Sequence, residues 1–195
     1  MIKDRNLDLL ASKFYYILKP DVAVDSIVAA EDISGGDVAT CTLAKTILDY
    51  PRNLLYTVTD DSGSATTATF VVVGYDQFGE KVTETTTVTY AAAVSGSQIF
   101  SEIVSIATTG TSGQAASDTA DVGVSIEADV ASFGLPDKIG KVADVQALTL
   151  VNNGVVEMQN IDSTSVVVAR HCYRPEQTVE IIDDYVIRYK SSAYN

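Results

Sequence analysis

The sequence predicts a mainly β chain: an antiparallel β-sandwich or barrel-like domain with a short N-terminal arm or helix. Three observations carry that expectation. From Asp21 onward Val, Thr, Ala, Ser and Ile dominate, the residues of a pleated, half-buried surface. Gly or Asp-Ser clusters interrupt them at short intervals, as turns between short strands do. Asn152-Asn153-Gly154 stands between two runs of alternating polarity, and Asn-Gly in that setting is the strongest short hairpin signal. On these grounds residues 1–20 form an arm or short helix and residues 21–136 a β-sandwich-like domain. Residues 137–195 supply C-terminal strands packed on that same domain.

The arm is ambiguous in its own residues. Leu7, Leu10, Phe14 and Leu18 recur at helical spacings of three and four. The run Phe14-Tyr15-Tyr16-Ile17-Leu18 is also rich in strand formers, and Pro20 stops whichever element forms. Residues 22–28 read as a strand, Ser34-Gly35-Gly36-Asp37 as a turn, and residues 39–48 as a strand ending before Tyr50-Pro51. The clearest unit spans residues 52–90. Strands at 55–59, 68–75 and 81–90 are separated by two turns. In the first turn, Asp60-Asp61-Ser62-Gly63-Ser64, Gly supplies a positive φ and Asp accepts local backbone hydrogen bonds. The second, Asp76-Gln77-Phe78-Gly79, has Asp first and Gly last, as a type I turn prefers. In the returning strand Val82, Val88 and Tyr90 alternate with polar residues, as a strand with one wet face should.

Residues 91–96 read as a loose link and 98–106 as the next strand. Residues 108–121 hold few large apolar side chains and read as an exposed loop or wide hairpin. Alternation resumes at 121–127, and 133–137 is a turn-rich link. Residues 145–151 and 155–158 flank the Asn-Gly turn, and 165–170, 178–182 and 185–189 are further strands. No fixed period runs through the chain, which argues against a solenoid or propeller.

At 195 residues the chain is long enough for one substantial domain. A domain of roughly 150 residues buries about two thirds of its unfolded surface and folds without disulfides or metal. A hydrophobic fraction of 46% fits such a core. With 26 acidic residues against 13 basic, the formal charge is −13. That charge repels phosphate backbones, and the nearest approach to a basic cluster is Arg170, His171 and Arg174, so no nucleic-acid partner is expected. Charge interrupts the apolar pattern of the first eight residues, which predicts no secretory signal peptide. No run approaches the ~20 apolar residues of a membrane span, so no membrane partner is expected either. Cys41 and Cys172 lack any partner motif and read as reduced, buried thiols of a protein made in a reducing cytoplasm.

The residues that could carry chemistry are few. His171 is the only histidine, so a Ser-His-Asp or Cys-His mechanism would have to use it. Its neighbour Cys172 would point to the opposite face of a strand, poorly placed to share a proton. Asp60-Asp61, Asp118 with Asp121, and Asp183-Asp184 offer hard oxygen ligands for calcium, yet none has the spacing of a calcium loop. They read as turn-capping and solvated carboxylates. Glycosidase clefts are usually lined by stacking aromatics, and this chain has no Trp. Phosphate-cradling and dinucleotide loops are absent from the sequence. The expectation is a non-enzyme with no catalytic, cofactor-binding or metal-binding residues.

One stretch resembles a known family. Tyr50-Pro51-Arg52-Asn53 precedes a strand, and Gly74-Tyr75-Asp76-Gln77-Phe78-Gly79 with Glu84 forms a hairpin segment. Together with Phe100-Ser101-Glu102-Ile103-Val104-Ser105-Ile106, Val122-Gly123-Val124 and Phe133-Gly134-Leu135-Pro136, these resemble segments common in virion structural proteins of tailed bacteriophages. The likeness covers roughly residues 50–136 and consists of turn and strand chemistry. It marks Pro51, Arg52, Asn53, Gly74, Asp76, Phe78, Gly79, Gly134, Leu135 and Pro136 as fold-motif residues. The resemblance implies a head decoration (cement) protein: a β-sandwich-like module on the outside of a capsid, synthesised in the host cytoplasm. Its implied partners are the major capsid protein and copies of itself. A tail or head–tail junction protein is the alternative within that class, and a glycan-binding adhesion module is the alternative outside it.

Overall fold

A computed structural model of the chain describes residues 12–18, 23–61, 63, 65–125, 131–139, 145–152, 155–159, 166–167, 172–173 and 184–190. Among them every regular element is a strand. In chain order these are β1 (Ser12–Leu18), β2 (Val28–Asp32), β3 (Ile47–Arg52), β4 (Leu55–Thr59), β5 (Thr67–Tyr75), β6 (Lys81–Thr89), β7 (Val94–Ser95) and β8 (Phe100–Ser112). There follow β9 (Thr119–Gly123), β10 (Phe133–Gly134), β11 (Val145–Asn152), β12 (Val155–Gln159), β13 (Val166–Val167), β14 (Cys172–Tyr173) and β15 (Asp184–Lys190). All pairings are antiparallel. Three sheets result, with strand orders β13-β14-β10-β3-β8-β5-β6, β2-β9-β4-β7 and β1-β15-β11-β12. The chain is mainly β, as its composition predicts.

The first core lies between the β3-β8-β5-β6 part of the large sheet and the β2-β9-β4-β7 sheet. β5 shows why. Its residues alternate strictly, Ala68, Phe70 and Val72 facing in and Thr69, Val71 and Val73 facing out. Facing them from β4, Tyr56 packs its ring 5.2 Å from that of Phe70. Ile103 and Ile106 of β8 and Ala120 and Val122 of β9 complete the layer. A second cluster gathers Ile17, Phe133, Leu135, Val145, Ile187 and Tyr189, with Tyr15 and Tyr50 packed at its margin. Residues from β1, β10, β11 and β15 thus share one core, although residues 18 and 184 are far apart in sequence.

The N-terminal residues depart from one of their two readings. Residues 12–18 are not a helix but a strand, paired along its whole length with β15 from Ser12↔Lys190 to Leu18↔Asp184. Strand propensity in Phe14–Leu18 outweighs helical spacing because a partner strand is available to complete the ladder. Residues 1–11 lie outside the described residues.

Other boundaries shift for reasons of hydrogen bonding. Residues 23–27 form turn and bend, so the strand expected over 22–28 begins only at Val28. Residues 38–46 carry no strand ladder. They instead lie along β8 through separate bonds, from Cys41 N to Ile106 O at 2.8 Å and from Thr108 N to Val38 O at 2.9 Å. The strand continues through Tyr50-Pro51 to Arg52, with Pro51 inside the register irregularity between β3 and β8 where no ladder bond is required of it. The loop expected over 108–121 shrinks to residues 113–118, since β8 runs on to Ser112 and β9 begins at Thr119. The short link over 133–137 contains β10, which is buried between β3 and β14. By contrast β4, β5, β6 and β15 fall where the sequence places them. β11 and β12 meet at Asn152↔Val155, the register a two-residue Asn-Gly turn requires. The strand expected over 178–182 and the Arg170-His171-Arg174 group lie outside the described residues.

Cys41 and Cys172 are both buried, and they are not joined in a disulfide. Burial, aided by the nearby charge of Glu31, pushes the Cys41 thiol up to about 11, which leaves it a packing residue rather than a nucleophile.

Candidate functional site

Most of the fold-motif residues, scattered over more than eighty positions, gather around one junction between the two cores. β3 delivers Arg52, whose side chain is fully buried. Its backbone pairs with Phe133 of β10 on one side and Phe100 of β8 on the other. Its guanidinium lies 4.8 Å from the centre of the Phe133 ring and donates to the Ser125 carbonyl. A longer contact, 3.4 Å, reaches the partly exposed Asp49 carboxylate. A planar cation can do all of this at once, stacking on a ring with its face while donating from its edge.

Asn53 continues the staple. Its backbone donates to Ser132 O at 3.0 Å, and its side-chain oxygen accepts from Ser132 N at 2.6 Å. Its amide nitrogen donates to Ser95 Oγ at 2.6 Å and Gly96 O at 3.2 Å. One side chain therefore ties β7 to the 131–135 segment. Gly134 explains the tightness of this contact. A Cβ there would stand 2.7 Å from Ile99 Cγ2 and 3.0 Å from both Gln77 and Pro51, so only glycine admits the three segments together.

The β5–β6 turn closes the junction from outside. Asp76 Oδ1 accepts from Phe78 N at 2.8 Å and Glu80 N at 2.9 Å, and Gly79 N donates to Asp76 O with Gly79 at φ +76°. Lys138 sits 5.2 Å over the Phe78 ring, just past the buried Leu135 and the exposed Pro136. Gly74 serves β5 rather than the junction. Its added Cβ would run into the Glu102 carbonyl oxygen at the β-bulge where β5 and β8 shift register.

The sequence places Glu84 in the hairpin segment, but its burial and its partners beside this junction were not foreseen. Glu84 lies on β6 and is 5% exposed. Its Oε2 accepts from the Tyr56 hydroxyl at 2.8 Å, and its Oε1 accepts from Ser97 N and from Gln98 N at 3.0 Å. Burial first, then the Glu84 charge, raises the Tyr56 phenol far above its usual range, so Tyr56 remains a donor. A signal existed: Glu84 shares the inward parity of Val82 and Val88.

Three of the carboxylates considered for calcium, Asp60, Asp118 and Asp121, accept hydrogen bonds from the protein itself. Asp118, fully buried, accepts from Thr66 Oγ1 at 2.6 Å, Ala115 N at 2.8 Å and Asp61 N at 3.0 Å. Asp60 accepts from Gly63 N and Thr66 N, and Asp121 from Ala30 N at 2.7 Å. Asp118 and Asp121 thus serve different loops. Among the described residues no three His, Cys, Asp or Glu side chains are grouped to hold a metal ion, and no helix is long and apolar enough to cross a membrane. His171 and Asp183 lie outside the described residues.

Asp118 yields a pH prediction. The hydrogen bond from Thr66, then that from Ala115, lowers its carboxyl below the usual carboxylate range. A group depressed in the folded state stabilises the fold above its unfolded pKa and loses that contribution as pH falls through the folded value. Urea midpoints are therefore expected to fall as pH drops below about 4. Asp118→Asn should be less stable than wild type at pH 7 and show a flatter acid limb. Parallel limbs for the two proteins would contradict this role.

What these contacts define is a class: a mainly β, antiparallel, sandwich-like chain in which Arg52, Asn53 and Gly134 form a structural staple. No family model, no curated protein and no solved structure matches the chain.

Proposed function

We propose that the chain is a structural component of a tailed-phage virion, a decoration or cement protein bound to the outside of the capsid shell and stabilising it. The single observation that carries this reading is the convergence of the phage-like motif residues on the Arg52–Gly134 junction. Arg52, Asn53 and Gly134, three of the residues that carry the resemblance, sit where the two cores meet. A protein that serves by area and hydrogen-bonded edges needs such rigidity and needs no pocket. A charge of −13 keeps many copies soluble and apart before assembly. The major capsid protein is the partner this reading requires.

The test is stoichiometry. In purified virions carrying this chain, its copy number should approach that of the major capsid protein, and particles stripped of it should lose heat resistance. A handful of copies per particle would move the chain to the tail or head–tail junction. Absence from the particle would end the virion reading.

A further inference from the structure

We propose that β6 is a self-association edge, through which two copies of this chain join their large sheets antiparallel about a two-fold axis at Thr85. β6 is the last strand of the seven-stranded sheet, and among the described residues no strand pairs with its outer edge. Natural edge strands of this length are usually guarded by a proline, a bulge, or charges along the strand. Between Val82 and Thr89 β6 has no proline, no bulge and no outward-facing charge. It pairs with β5 without a register shift over nine residues, and its only outward charge is Lys81 at one end. Glu84, the one charge facing inward, does not guard the edge, because its oxygens are committed to Tyr56, Ser97 and Gln98.

Self-complementarity selects the occupant. Thr85 is the midpoint of Lys81–Thr89, so a two-fold axis there overlaps the whole strand with its copy. On the outer face Thr85 meets Thr85, Thr83 meets Thr87, and Lys81 meets Thr89. On the inner face Val82 meets Val88 and Glu84 meets Thr86. No residue lies directly opposite a like charge, and the two Glu84 side chains, diagonal neighbours across the axis, are each turned to Tyr56, Ser97 and Gln98 of their own copy, which matters in a chain of charge −13. The same side-chain chemistry already joins β6 to β5, where the Thr67–Thr89 and Thr69–Thr87 hydroxyl pairs lie 3.0 and 2.9 Å apart. Pairing two copies would extend that threonine surface across a continuous sheet. The strand itself is set by the fold, so ordering it on association costs little.

The inference rests on the virion reading only for its biological purpose, since the pairing is measured without a particle. Sedimentation equilibrium of the full chain over a concentration series should show a monomer–dimer equilibrium. Thr85→Lys places two like charges opposite each other at the axis and should weaken dimerisation by about tenfold or more. Its far-UV circular dichroism should be unchanged, because Thr85 is exposed. Thr85→Cys gives the positive arm. Opposed residues in an antiparallel pair have Cα atoms about 4.5–5.5 Å apart, within disulfide reach, so mild oxidation should cross-link it as a dimer. Thr69→Cys, on the same face but one strand inside, should stay monomeric on a non-reducing gel. A wild type that stays monomeric while Thr85→Cys cross-links no better than Thr69→Cys overturns the proposal, as does a dimer that Thr85→Lys leaves intact. Dimers that fail to bind particles would instead count against the virion reading alone.

Discussion

Arg52→Ala is expected to lower the unfolding free energy by about 3–5 kcal/mol. Two losses add. The substitution empties the volume of a fully buried side chain between Phe133 and the first core. It also strips the Ser125 carbonyl of its donor and removes the cation facing Asp49. Arg52→Lys restores charge but not the planar group over the Phe133 ring, so it should recover only part of the loss. Equilibrium unfolding in urea, followed by circular dichroism, measures both. Because Arg52 stands between the two cores, Arg52→Ala should also broaden the transition, as the parts on either side of the junction uncouple. A midpoint and slope like those of wild type would show that the junction does not depend on this side chain.

Glu84→Ala is expected to cost about 3 kcal/mol or more. It leaves three donors, the Tyr56 hydroxyl and the Ser97 and Gln98 amides, without their acceptor, each orphan costing about 1–3 kcal/mol if water cannot reach it. Glu84→Gln keeps one acceptor for the two amides, and the Tyr56 hydroxyl can turn to accept from the new amide group, so the loss should be smaller. Hydrogen exchange distinguishes this from a general weakening. The Ser97 and Gln98 amides should exchange much faster in Glu84→Ala under conditions where amides of β5 stay protected. Uniform acceleration across the first core would mean that Glu84 acts only through overall stability.

These two residues also mark how far a reading of the sequence reaches. Alternation located β5, and turn chemistry located Asp76–Gly79 and the β11–β12 hairpin, because each is a contract between residues a few positions apart. Arg52 and Gly134 can be singled out in the sequence, yet their task depends on Ser125, Phe133, Ile99 and Gln77, which no local rule brings to them. Glu84 reads locally as one polar residue in a threonine-rich strand. Its burial follows from Tyr56, twenty-eight positions away, and from a loop that Gly96 allows to lie against it. The stretch at 38–46 shows the converse. Its residues would accept a strand, but its hydrogen bonds go singly to β8 and to Ile27 rather than into a ladder.

What the sequence by itself determined is the strand class of the chain, its turns and its strong negative charge, because side-chain periodicity, glycine conformation and net charge act locally or as simple sums. Only the tertiary structure decided that residues 12–18 are a strand rather than a helix, since their preference is resolved by pairing with β15. It alone decided that Arg52, Glu84 and Asp118 are buried, because a charge leaves water only where donors and acceptors from distant segments converge to replace it. And it alone left β6 at the margin of its sheet, since which strand ends a sheet is a property of topology that no stretch of nine residues contains.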